Sequence, residues 1–217
     1  MTDTSVILVS TPMPNRKEQP SREKLSLAAI AVFGERGYHA ARVSDIVGRA
    51  GVAQGTFYLH FESKEAIFLA LIDDFFARLL DQTLGRFPAS GLADTADLAV
   101  QIGKMWRAIL GHCRHEPVLT TLVLRESSAV GTGARARVEA RFAQLVAAIG
   151  SYLDAVSATG LIRQGMSDAS AWALLGMLER AIHYAVVVNP AADIDALAEE
   201  FLRFELTGLL GAEVTAR

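Results

Sequence analysis

The sequence predicts an all-helical chain: a three-helix N-terminal head of helix-turn-helix type on a larger helical body, about nine helices in all. Apolar residues recur at three- and four-residue intervals along most of the chain, and alternating valine- or threonine-rich runs are scarce. Glycines and prolines fall between those runs and cut them into segments of helical length. Residues 37–65 hold two short helical segments separated by only three residues, one of them Gly51.

Residues 1–20, with Pro12, Pro14 and Pro20 among small polar residues, read as a flexible arm. Its Arg16 and Lys17 have the charge of a minor-groove arm, but a leader without a role is the preferred reading. The head spans 21–65. Ser21 is the expected N-cap of a first helix running to about Arg36, with Leu25, Ala28, Ala29, Val32 and Phe33 on one face and Gly37 as its left-handed stop. A second helix is expected over Val43 to Ala50, burying Val43, Ile46 and Val47, and a third over Gln54 to His60. The body spans 66–217. Ser63 is expected to cap a long fourth helix whose stripe runs from Ile67 to Leu80, with Glu65 in the first turn, where a negative charge suits the helix dipole. Five more helices are expected near 92–113, 117–128, 134–158, 168–188 and 193–211, with Pro117, Pro190 and the glycines near 131–133 and 160–165 at the breaks.

The composition, 51% hydrophobic and 21% charged, is that of a globular chain with a sizeable core. Net charge is −3 overall, but Arg16 to Lys64 carries eight Lys/Arg against five Asp/Glu, and residues 65–217 carry thirteen against eighteen. A basic head on an acidic body fits nucleic-acid binding. The single cysteine, Cys113, leaves no internal disulfide and agrees with a reducing cytoplasm. No apolar run is read as long enough to span a bilayer, and Val6 to Val9 is too short for a signal-peptide core. The expectation is a cytoplasmic protein without membrane contact.

The third helix carries the chemistry. Phe57 and Phe61 anchor one side of it, while Gln54, Thr56, Tyr58 and His60 lie on the other, and Gly55 leaves room for close approach. Hydrogen-bonding side chains on a helix pinned from behind are what major-groove readout needs. Gln suits an adenine edge and Thr offers a hydroxyl and a methyl, whereas Tyr58, His60 and Lys64 suit phosphates.

In these residues the chain resembles the DNA-binding domain of TetR-family (tetracycline-repressor-like) regulators. The resemblance rests on Ala28-Ala29, Phe33, Gly37-Tyr38, Val43-x-Asp45-Ile46, Ala50-Gly51-Val52 and Gly55-Thr56-Phe57-Tyr58-x-His60-Phe61-x-Ser63-Lys64-Glu65, in register over some forty residues. It implies a homodimer that binds a short palindrome and releases it when a small molecule fills a pocket in the body. It also implies DNA contacts at Gln54, Thr56, Tyr58, His60 and Lys64. Two residues depart from the family pattern: Arg42 and Ala53 stand where Ser or Thr caps are frequent, a loss of about 1 kcal/mol per cap. Arg42 is expected to reach a phosphate instead, and Ser44 to bond another.

In the body, Ala171 to Val188 is apolar nearly all round, so the helix is expected to be buried on every face. The resemblance implies that the last two helices pair across a two-fold axis, giving Trp172, Leu175, Phe201, Leu202, Leu206 and Leu209 as the expected interface. Bulky or isolated polar residues suggest an effector pocket at Trp106, Arg125, Phe142, Tyr152, Trp172, Met177, His183 and Tyr184. His112-Cys113-x-His115-Glu116 has the residue types of a metal site but no second cluster, and reads as a capping or solvent-exposed helix end. No phosphate loop, dinucleotide fingerprint or nucleophile elbow is present, so neither cofactor nor catalysis is expected. The expected function is a ligand-responsive repressor that binds pseudo-palindromic double-stranded operator DNA as a homodimer and is released by a small hydrophobic effector. An activator of the same fold is the alternative, since operator position decides the sign. A helical small-molecule enzyme, or a scaffold using the head for protein contacts, has no motif in its favour.

Overall fold

A computed structural model describes residues 19–125, 132–166 and 168–210, and among these there is no strand. The helices are α1 (Gln19–Ala40), α2 (Val43–Ala50), α3 (Gln54–His60), α4 (Lys64–Leu80), α5 (Thr95–His115), α6 (Pro117–Arg125), α7 (Thr132–Ala158), α8 (Asp168–His183) and α9 (Ile194–Leu209). Single π-turns extend α4 over Asp81–Gly85 and α8 over Tyr184–Val188. Residues 1–18, which hold most of the expected arm, and residues 126–131, 167 and 211–217 lie outside the described residues.

Local chemistry explains the ends. Ser63 Oγ accepts from Ala66 N at 3.0 Å and starts α4. Asp94 takes the amides of Ala96 and Asp97, and Asp193 those of Asp195 and Ala196, which sets the starts of α5 and α9. Ser21, expected as the first cap, lies inside α1 instead, because helix already begins at Gln19 with Pro20 in the first turn, where a missing N–H costs nothing. Gly37 does break α1, with φ 73°, but the chain resumes one helical turn before Ala40. Gly51 closes α2 at φ 65°, donating to Gly48 O while Val52 N reaches Val47 O.

One core runs through the described residues. α1 packs on α2, α4 and α6, α4 on α7, α7 on α8, and α5 on α9. The first turns of α4 close the head: Phe68 packs against Phe33 at 5.8 Å and Tyr38 at 4.7 Å between ring centres. α1 also touches the body directly, since a Cβ on Gly34 would stand 3.0 Å from both methyls of Val118 on α6.

The burial of α8 differs from expectation. Leu175, Leu178 and Ile182 are buried, but Trp172 is 55% exposed and Ala173 and Gly176 are also exposed. Residues 168–188 together are long and apolar enough, by length and composition, to cross a bilayer, although no uninterrupted apolar run within them reaches that length. Leu175 and Leu209, expected at an interface between two copies, lie in the core of the single chain, so neither has surface to offer a second copy. Phe201 stacks on Trp106 at 5.1 Å and is partly buried, as are Leu202 and Leu206. Phe204, not singled out in the sequence, is 66% exposed on α9.

Candidate nucleic-acid interface

The turn between α2 and α3 sets everything at this site. The left-handed Gly51 swings the chain through Val52 and Ala53, and α3 starts without any side-chain cap. What holds so short a helix is tertiary packing: Phe57 is wholly buried and meets Phe61 at 5.8 Å. Phe61 is covered in turn by the Arg22 guanidinium, 5.4 Å above its ring. With that side fixed, Gln54, Gly55 and Tyr58 are exposed and Thr56 and His60 lie at the rims, half-buried. Leu59, absent from the sequence-based candidates, is 83% exposed. The signal was its place one turn after Gly55, directly opposite the phenylalanines.

At the start of α2, Arg42 has extended backbone and its side chain makes no cap hydrogen bond. Asp45 takes over part of the task, accepting from Arg42 N at 3.0 Å and pairing with Arg36 at 3.0 Å. Arg42 and Ser44 are both exposed beside α3.

Lys64 is placed otherwise than expected. Its ammonium donates to the carbonyls of Tyr38 at 2.7 Å, Ala41 at 2.9 Å and His39 at 3.3 Å, and lies 4.4 Å over the Tyr38 ring. All three donors are thereby spent on the end of α1, and burial lowers its pKa. Lys64 is a clamp between α4 and α1, not a free phosphate ligand. Lys64→Ala is therefore expected to lower head stability by about 1–2 kcal/mol, read by denaturant unfolding. It should leave the salt slope of DNA binding unchanged; a slope shallower by about one would restore the phosphate role.

The residues expected to form an effector pocket do not converge. Trp106 and Tyr152 line an interior cavity of about 80 Å³, with Ile102, Leu174, Leu178 and Glu205. Phe142 lines a second apolar void of about 30 Å³, and Leu178 separates the two. Met177 and Tyr184 face an outer groove between α8 and α9, and His183 lies half-buried at the end of α8. Trp172 is exposed, and the side chain of Arg125 lies outside the described residues.

Glu205 is the residue that sequence reasoning missed in the body. It stands within Phe201-Leu202-x-Phe204-Glu205-Leu206, the one carboxylate in the apolar second half of a helix whose other acids, Asp195, Glu199 and Glu200, lie in its first half. Its Oε2 accepts from Trp106 Nε1 at 2.7 Å, and enclosure among apolar walls pushes its pKa up to about 7. It borders both the 80 Å³ cavity and a groove on the α8–α9 surface.

His112 and Cys113 are buried rather than solvent-exposed. His112 packs on Phe75 at 4.8 Å between ring centres, and burial pushes the Cys113 thiol up to about 12. Glu116 turns away to Arg78 at 2.7 Å.

Residues 27–71 match the family of bacterial regulatory proteins, tetR family. Among curated proteins, the helix-turn-helix-type transcriptional regulator YdgC of Bacillus subtilis is 45% identical over 82 residues, 38% of this chain and 42% of that protein. The match thus spans less than half of that relative's length. The fatty acid metabolism regulator protein of Bacillus subtilis is 24% identical over 199 residues, 89% of this chain and 98% of that one. Among solved structures, the transcriptional regulator FadR of Bacillus subtilis in complex with stearoyl-CoA superposes with a TM-score of 0.70 at 23% identity, covering 86% of this chain and 98% of that one. That likeness shows the shared fold.

Proposed function

We propose that this chain, whose residues 27–71 match the tetR family of bacterial regulatory proteins, regulates transcription by binding a pseudo-palindromic operator as a homodimer and letting go when a small hydrophobic effector binds. The observation that carries the proposal is α3. It is held from behind by a fully buried Phe57 and turns Gln54 and Tyr58 outward, with Thr56 and His60 at its rims. A helix so presented enters a major groove, and the exposed Arg42 and Ser44 beside it suit the flanking phosphates.

The dimer is supported by α8 and α9. Trp172 and Phe204 leave large apolar surfaces in water on adjacent helices, among the small residues Ala173, Gly176 and Gly208 that permit close approach. A two-fold axis there sets two copies of α3 to read successive half-sites.

The effector reading is supported by the voids around Leu178 and by the acyl-CoA complex of the Bacillus subtilis relative. A dry cavity of about 150 Å³ is what holds benzene. At about 80 Å³ and 30 Å³, these voids admit a larger apolar molecule only if the helices around them move. Both α4, through Phe75, Phe76 and Leu79, and α6, through Val123, line the smaller void. Since α4 and α6 also pack on α1, expansion there has two routes to the head.

Selection of bound duplexes from random and genomic DNA at near-physiological salt tests the proposal. Enrichment of one inverted repeat is the expected result; a folded protein that enriches nothing, even after ligand stripping and refolding, refutes it. On the selected duplex, Gln54→Ala should relax choice at one base pair per half-site and cost about 1–3 kcal/mol against the preferred sequence. An equal loss on every sequence would remove Gln54 from base reading.

A further inference from the structure

We infer that Leu59 reads a thymine, by placing its apolar side chain against the C5-methyl group of a T·A pair in the major groove. The inference rests on the DNA-binding reading above and adds a base-specific contact to it. Leu59 is 83% exposed, the most exposed of the large hydrophobic residues described. It occupies the outermost position of α3, opposite the buried Phe57 and Phe61, with Gln54 and Tyr58 on one flank and Thr56 and His60 on the other.

Gly55 supplies a second, independent observation. Its backbone is ordinary helix, and a Cβ there would meet nothing within 4 Å. A side chain here would meet no atom of the protein, so the outward face of α3 is open at this point. Room left open on the outward face one turn before Leu59 lets a surface outside the subunit come close to the α3 backbone, and brings Leu59 to its floor.

The chemistry of that floor follows from the side chains. Four polar residues on the flanks suit base edges and phosphates, which directs the helix to nucleic acid. Leucine itself neither donates nor accepts a hydrogen bond, so it can complement only an apolar group. In the major groove the unmodified base pairs show one such group, the methyl of thymine. A leucine set among hydrogen-bonding flanks therefore discriminates T·A from C·G by contact rather than by hydrogen bonding.

The test uses the full chain and the duplex it selects, with each thymine replaced in turn by deoxyuridine, which deletes only the methyl group. For the wild type, one thymine per half-site should be sensitive, its replacement weakening binding about four- to tenfold. Leu59→Ala should weaken binding to the intact duplex by a similar factor and be indifferent to deoxyuridine at that position. An exposed alanine in a helix leaves folding intact, which circular dichroism checks. If no thymine is sensitive, or if Leu59→Ala keeps the full deoxyuridine penalty, the inference is overturned while operator binding stands. If the wild type selects no sequence, both fall together.

Discussion

Phe57→Ala should unfold the head while leaving the body helical. Phe57 has no exposed surface and is the inward anchor of a seven-residue helix with no side-chain cap at its start. Removing a buried phenyl costs about 3–5 kcal/mol, from lost burial together with the cavity left behind. The seven residues of α3 have little stability to spare once that ring is gone, whereas Leu98, Leu110, Val156 and their neighbours lie in the part of the same core formed by α5 and α7. Denaturant unfolding followed by circular dichroism should resolve an early transition of small amplitude, with most helix surviving to the wild-type midpoint, and specific DNA binding should be lost. Phe57→Leu keeps an apolar side chain of comparable bulk and should cost only about 1–1.5 kcal/mol. A single transition shifted by less than about 1 kcal/mol in Phe57→Ala would show that something other than this ring holds α3 in place.

Stability should fall as pH rises from about 4.5 to about 7, and Glu205→Gln should abolish much of that fall. The enclosed carboxyl of Glu205 is raised from the ordinary 4.5 to about 7 by desolvation, which the hydrogen bond from Trp106 only partly offsets. Across that window the folded protein keeps a proton that the unfolded chain has released. The group's contribution is therefore complete below pH 4.5 and is lost as pH climbs through 7. Taken in full, such a shift corresponds to about 3 kcal/mol, and the partial exposure of the residue brings the expected effect to about 1–3 kcal/mol. Glutamine still accepts from Trp106 Nε1 and has no charge to bury. The variant should therefore match wild type near pH 4.5 and exceed it at pH 8, measured by urea unfolding at several pH values. Equal pH slopes for the two proteins would mean that the carboxyl finds water in the folded state.

The second and third helices of the head were legible to the residue, because each is written locally, whereas α1 runs past both ends expected for it. Val43–Ala50 and Gln54–His60 are bounded by Gly51 and by the anchors Phe57 and Phe61, all within a stretch short enough for spacing alone to specify. The starts of α5 and α9 follow Asp94 and Asp193, caps that act over three residues. Side-chain partners distant in the chain were not legible. Lys64 looks like a phosphate ligand until the fold brings the end of α1, some 25 residues earlier, under its ammonium. Glu205 looks like one more surface acid until α5 places Trp106 against it, 99 residues away.

The body shows the same division. Periodicity marks α8 and α9 as apolar, but it does not say which neighbour covers which side. Leu175 and Leu209 went to the subunit's own core and Trp172 and Phe204 to its surface, a choice made by the crossing of α8 with α7 and of α9 with α5. The expected pocket residues scattered for that reason, since a cavity is the shape left between helices packed from distant segments. By itself the sequence determined the helices, most of their ends to within a few residues and the polar flanks of α3, because capping, glycine conformation and helical period act over a few residues. Only the tertiary structure decided which charges are buried, where the voids lie and which apolar surface is left bare, because burial is shared among segments that meet only when the whole chain folds.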